Sequence, residues 1–248
     1  MKRTTGYIIM AAAVIFTGWL FSRAWIKSHE KNETINVTGL ATHDFVSDLI
    51  VWNGSFSRKS MNMQEAYAML KTDADAIKKY LLSKGVTENE IVFSAVDIHK
   101  DFEDRSQDPG GINRKELNTK VFTGYILTQH VQVESKSVDR TEAISREVTG
   151  LIDAGVELSS SAPQYYYTKL SSLKKEMLAA AAKDARERAD NIAANAGSKV
   201  GDLKSADMGI FQITAQNSSE DYTWGGAFNT SSKRKTASIT VKLEFDID

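Results

Sequence analysis

Near the C-terminus, Ala237, Ile239, Val241, Leu243, Phe245 and Ile247 alternate with Ser238, Thr240, Lys242, Glu244 and Asp246. A period of two defines a strand with one apolar and one polar face. The fold must therefore contain a sheet that is covered on one side only, and something in the chain must supply the cover.

Two segments read as that cover. From Asn62, which with Glu65 makes a capping-box-like start, Ala66, Leu70, Ala74, Ile77 and Leu81 recur at helical spacing until Gly85. The second runs over about 170–196 and is rich in alanine. Leu170, Leu173, Met177, Leu178, Ala181, Ala185, Ile192 and Ala196 share one side of it, while Lys183–Glu187 and Arg186–Asp190 pair at i,i+4. A membrane-active helix needs bulky apolar residues and a basic excess. Small residues with balanced charge instead suit close packing on a sheet.

Around these helices, strands are expected near 34–45, 45–58, 91–102, 120–134, 156–168, 203–214 and 236–247, with a short helix from Asp139 to Gly155. Strand, helix, glycine, strand, polar loop and strand run over 45–134 and again over 156–247, an organisational repeat. The expected fold class is α+β: two β-α-β-β halves with mixed or antiparallel sheet and long packing helices, within one domain over 34–248.

The 248 residues carry a net charge of −1, so no basic surplus favours nucleic acid. With no cysteine, disulfides, thiol catalysis and thiolate zinc sites are excluded. Lys2 and Arg3 precede an uncharged, mostly apolar stretch from Gly6 to Phe21. Continued through Trp25 and Ile26, it approaches the roughly 20 residues of a spanning helix. Residues 1–26 are therefore expected to form an N-terminal transmembrane helix, with 27–33 as a polar tether and the body outside the cytoplasm. Cleavage near Ala24 is the alternative.

The stretch DARERADNIAANAGSKVGDL resembles the hallmark of the SIMPL-domain family, with Ala181, Asp184, Ala185, Arg188, Ala189, Ile192, Ala193, Gly197, Val200 and Gly201 matching. The opening INVTGLATHDFVSD and the segment SVDRTEAISREVTGLIDAGV are also similar, so the likeness spans about 35–248. Asp44-Phe45 departs from the Pro-Asp pair common in the family. The resemblance implies an α+β protein of the bacterial envelope, with its main domain in the periplasm and without a recognised active site.

Motifs for chemistry are sparse. Asp97, His99 and Asp101 share one strand face, where a metal would find three ligand types, but an exposed polar face has the same pattern. Ser171-x-x-Lys174 and Ser172-x-x-Lys175 have serine–lysine enzyme spacing without the companion motifs, and fit the first turn of a helix. No catalytic residue, cofactor site or metal site is assigned. The loops 103–119 and 215–235 are more informative; the second carries Tyr222, Trp224 and Phe228 around Gly225-Gly226, candidate partner contacts. The sequence thus points to a non-enzymatic envelope protein. It would meet the membrane through its N-terminal segment and act as a homo-oligomer or through an envelope protein partner, without nucleic acid. The alternative is a small-ligand-binding protein or hydrolase with a pocket between helix and sheet.

Overall fold

The computed structural model describes residues 12–23, 33–107, 117–221 and 223–247. Its elements, in chain order, are α1 (12–23), β1 (Thr34–Val46), β2 (Leu49–Ser60), α2 (Met63–Ser83), β3 (Ile91–Phe93), β4 (Asp97–Gln107), β5 (Leu117–Ser135), α3 (Val138–Glu147), β6 (Leu158–Ser160), β7 (Gln164–Tyr166), α4 (Leu170–Ala196), β8 (Val200–Met208), β9 (Gln212–Ala215) and β10 (Arg234–Ile247). The α+β class holds, with four helices and two antiparallel sheets among the described residues.

Among those residues no helix is long and apolar enough to cross a membrane. The transmembrane helix expected over 1–26 is thus not found there; residues 1–11 and 24–32 lie outside the described residues.

The chain divides into two compact units, one of residues up to Ala41 with Leu178–Gly209 and Ile239–Asp248, the other of Thr42–Met177 with Ile210–Ser238. In the second unit, β5 runs antiparallel to β2 along Ile50–Ser60 and carries β3 and β4 on its other edge. The strand expected over 156–168 is two short pieces, β6 and β7, both paired to β2. In the other sheet the neighbour of β10 is β1. Pairing therefore does not follow two consecutive halves.

Helix α2 buries Ala66, Leu70, Asp73, Ile77 and Leu81 in a core with Trp52, Phe56, Leu127, Val131 and Val133. Asp73 occupies a core-facing position because Arg58 of β2 grips its carboxylate with two bonds, at 2.5 and 2.8 Å. Asn62 caps the helix by accepting from the Gln64 and Glu65 amides. Glu65 does not complete a capping box; its carboxylate accepts from the Ser60 hydroxyl at 2.7 Å.

In the first unit, helix α4 lies against β1 at Gly39. A Cβ on that glycine would stand 2.8 Å from Cβ of Ala185 and would overlap the Ala181 carbonyl. Only a glycine facing a small-residue ridge permits this approach. The buried stripe of α4 is Leu173, Met177, Ala181, Ala185, Ala189 and Ala193. Ile192, expected on it, is exposed, because a ridge at four-residue spacing drifts around the helix and reaches Ala193 instead. Gly197 ends the helix at φ 81°, with the Ser198 amide donating back to the Ala193 carbonyl at 2.9 Å.

Candidate functional site

The segment between β9 and β10, expected as an aromatic loop, is tied down by polar side chains. Gln212 is buried in β9, where its amide donates to the Thr223 carbonyl at 2.8 Å and accepts from the Ala227 amide. Glu220 accepts from the Ala215 amide at 3.0 Å and from the Asn229 side chain. Asn229 in turn accepts from the Ser232 amide at 2.9 Å. Backbone bonds link Ile213 to Ala227 and Asn229.

Beneath the loop lies Lys235, 1% exposed. Its ammonium donates to the carbonyls of Tyr165 and Asn229 at 2.5 and 2.6 Å and sits 5.9 Å from the Phe228 ring centre. Burial pushes its pKa down to about 8, against the attraction of the Glu220 carboxylate.

The outer end of the loop is a turn in which the Gly226 amide donates to the Thr223 carbonyl at 3.1 Å. Trp224 stands at its corner, 96% exposed. Phe228 is 51% exposed and bridged to Ile213. Tyr222, the third candidate contact, lies outside the described residues. The arrangement holds out one indole on a backbone fixed by neighbours on both sides.

The other sequence candidates do not converge. The His99 ring pairs with Asp97 at 2.9 Å in open solvent, whereas Asp101 is held by Lys59 at 2.6 Å and Thr123 at 2.9 Å. Among the described residues no cluster of three or more histidines and carboxylates is arranged for a metal ion. Ser172 donates to the Lys169 carbonyl, and Lys174 lies 5.1 Å from the Phe211 ring centre. The two serines occupy the first turn of α4, as expected. Where a loop was expected at 103–119, β4 and β5 continue as a ribbon to Gln107 and from Leu117; Pro109-Gly110-Gly111 lies outside the described residues. The cavity of about 730 Å³ beside the start of α3 is lined by neither Asp97 and His99 nor a tyrosine.

A family model described as SIMPL, a protein of unknown function (DUF541), matches residues 35–245. The chain belongs to the SIMPL family. No curated protein matches it. In this SIMPL chain the hallmark residues of α4 perform structural tasks. Asp184 accepts from the Leu40 amide of β1 and from Arg188, both at 2.8 Å. Together these donors hold its carboxyl below the usual range, the backbone bond contributing most. Ala181 and Ala185 make room for Gly39. Arg186, between them and the C-terminal glycines, donates to the carbonyls of Val200 and Gly201 at 3.2 Å and covers the Phe245 ring.

Sequence reasoning missed Lys235 and Asp73. A signal existed for both: Lys235 has the parity of Ala237 and Ile239, and Asp73 lies three residues after Leu70 and four before Ile77.

Proposed function

We propose that this SIMPL protein is a non-enzymatic, envelope-associated contact protein that associates with a second copy of itself through the Trp224 loop. The observation that carries the reading is a fully solvated tryptophan on a loop held by Gln212, Glu220, Asn229 and Lys235. Burying a large aromatic removes roughly 150–250 Å² from water, worth about 4–6 kcal/mol at about 25 cal/mol per Å². Because the backbone is already fixed, little ordering cost offsets that gain.

A second copy is favoured as the occupant by the β4–β5 ribbon. Before Tyr125, β5 pairs only with β4, and β4 pairs only with β5 among the described residues. Unpaired strand edges are templates for another chain of the same kind. The envelope location rests on the apolar stretch Gly6–Phe21. Fractionation tests it: the full chain should sediment with membranes and resist a high-salt wash, and recovery in the soluble cytoplasmic fraction would contradict it. For the contact itself, intact-cell crosslinking should give a homodimer band that the Trp224→Ala variant loses. A band formed only with a different protein would replace self-association by heterologous binding.

A further inference from the structure

A pocket of about 730 Å³ lies where the turn after β1 meets the start of α3 and the residues just before α4. Four cations line it, Lys136, Arg140, Lys169 and Lys233, against two carboxylates, Asp48 and Asp139. Both carboxylates are already engaged. Asp48 accepts from the Thr168 amide and hydroxyl, each at 2.7 Å, and Asp139 is ion-paired with Lys233, which also reaches Glu142 at 3.2 Å. Arg140 donates to the Gly85 carbonyl at 2.7 Å, and its charge acts on the Glu90 carboxylate. Among the described residues Lys136 and Lys169 have no ion-pair partner.

The backbone adds donors. The first intrahelical bond of α3 runs from the Thr141 amide to the Ser137 carbonyl, and the Ser137 side chain makes no cap bond. The amides of Val138, Asp139 and Arg140 thus have no acceptor among the described residues, at the end of a ten-residue helix where its dipole is positive. An independent observation points the same way. Ser47 lines this pocket at 4% exposure, and its hydroxyl has no hydrogen-bond partner among the described residues. Buried hydroxyls are ordinarily satisfied, so this one lacks an oxygen or nitrogen neighbour that a ligand can supply.

We propose that the pocket binds a phosphate-bearing ligand, its oxygens taken by the α3 amides and the Ser47 hydroxyl and its charge met by Lys136 and Lys169. Donors of three kinds, from separate segments, suit a tetrahedral group with several acceptor oxygens better than a planar carboxylate. The pocket leaves room for a substituent on the phosphate, as in a phosphomonoester or a lipid headgroup. This inference stands apart from the Trp224 contact.

The experiment uses the full chain with three probes at matched ionic strength: inorganic phosphate, glycerol phosphate, and phosphatidylglycerol vesicles read against neutral phosphatidylcholine vesicles. With a soluble phosphate, the amide resonances of Val138, Asp139 and Arg140 should shift saturably. The Lys136→Ala/Lys169→Ala double variant should bind about tenfold or more weakly, as loss of charged hydrogen bonds implies. Ser47→Ala should weaken binding while leaving the melting temperature unchanged or higher, which a purely structural serine would not do. Preference for anionic vesicles that the double variant abolishes assigns the ligand to a lipid headgroup; binding of the soluble probes alone assigns it to a free phosphate compound. Absence of saturable binding by all three probes, or equal binding by wild type and double variant, overturns the proposal.

Discussion

Two helices in this protein cover sheet strands by opposite means. Helix α2 meets β2 and β5 with Leu70, Ile77 and Leu81 against Trp52 and Phe56, so its contact is made of large side chains. Helix α4 meets β1 with Ala181 and Ala185 against Gly39, so there the backbones themselves approach. Each contact also has a carboxylate fastened across it: Asp73 receives the Arg58 guanidinium, Asp184 the Leu40 amide and Arg188. The difference teaches where each contact is fragile. A core of large residues is weakened by removing atoms, an alanine–glycine contact by adding them.

A large effect should come from breaking the buried ion pair. Asp73→Ala leaves the quarter-exposed Arg58 guanidinium with only the charge of Glu157 opposite it and should cost about 3 kcal/mol in urea unfolding. An effect below about 1 kcal/mol would mean that solvent compensates Arg58. The reciprocal pair of substitutions comes next. Ile77→Ala should cost about 2–5 kcal/mol through its cavity, and Ala185→Leu about 3 kcal/mol, the upper end of overpacking, because Gly39 leaves no slack. The contrast sharpens with the milder partners: Ala185→Gly should lose only about 1 kcal/mol, chiefly helix propensity. If Ala185→Leu were as mild as Ala185→Gly, the close approach would be disproved.

The β10 strand joins this comparison through Lys235, which takes an inward parity position otherwise apolar. Its pKa of about 8 lies below the unfolded value of 10.5. Between those values the unfolded chain binds more protons, so stability contributed by this group rises with pH across that window, by about 3 kcal/mol. Below pH 8 the full cost of burying the charge is present. A carbon-13 titration of the lysine side chain should place Lys235 near pH 8, and an ordinary value would show that water reaches it. Ile77→Val should be as mild as Ala185→Gly, about 1 kcal/mol.

Much of the scaffold was legible in the sequence. The alternation of β10 identified its buried face, and the glycines at 85 and 197 marked helix ends, both at positive φ. Local periodicity carries that information because each side chain's direction follows from its neighbours in the chain. Partner choice between strands does not: β6 and β7 pair with β2, and β1 stands beside β10, for reasons of long-range geometry. The β4–β5 ribbon escaped detection at 103–107 because Glu103 and Asp104 are solvated, so no apolar alternation marks them. The loop holding Trp224 was recognised from its aromatics, but its rigidity depends on Gln212 and Lys235, which flank it in the chain and read as ordinary strand residues. The basic pocket is assembled from four separate stretches between Val46 and Lys233, and no spacing in the sequence announces it.

Sedimentation equilibrium of wild type and Trp224→Ala over a wide concentration range tests the contact role most directly. Wild type should shift from monomer toward dimer as concentration rises, with its tryptophan emission moving to shorter wavelength, while the variant stays monomeric with an unchanged melting temperature. A wild type that remains monomeric throughout, or a variant that associates equally well, contradicts the role assigned to Trp224.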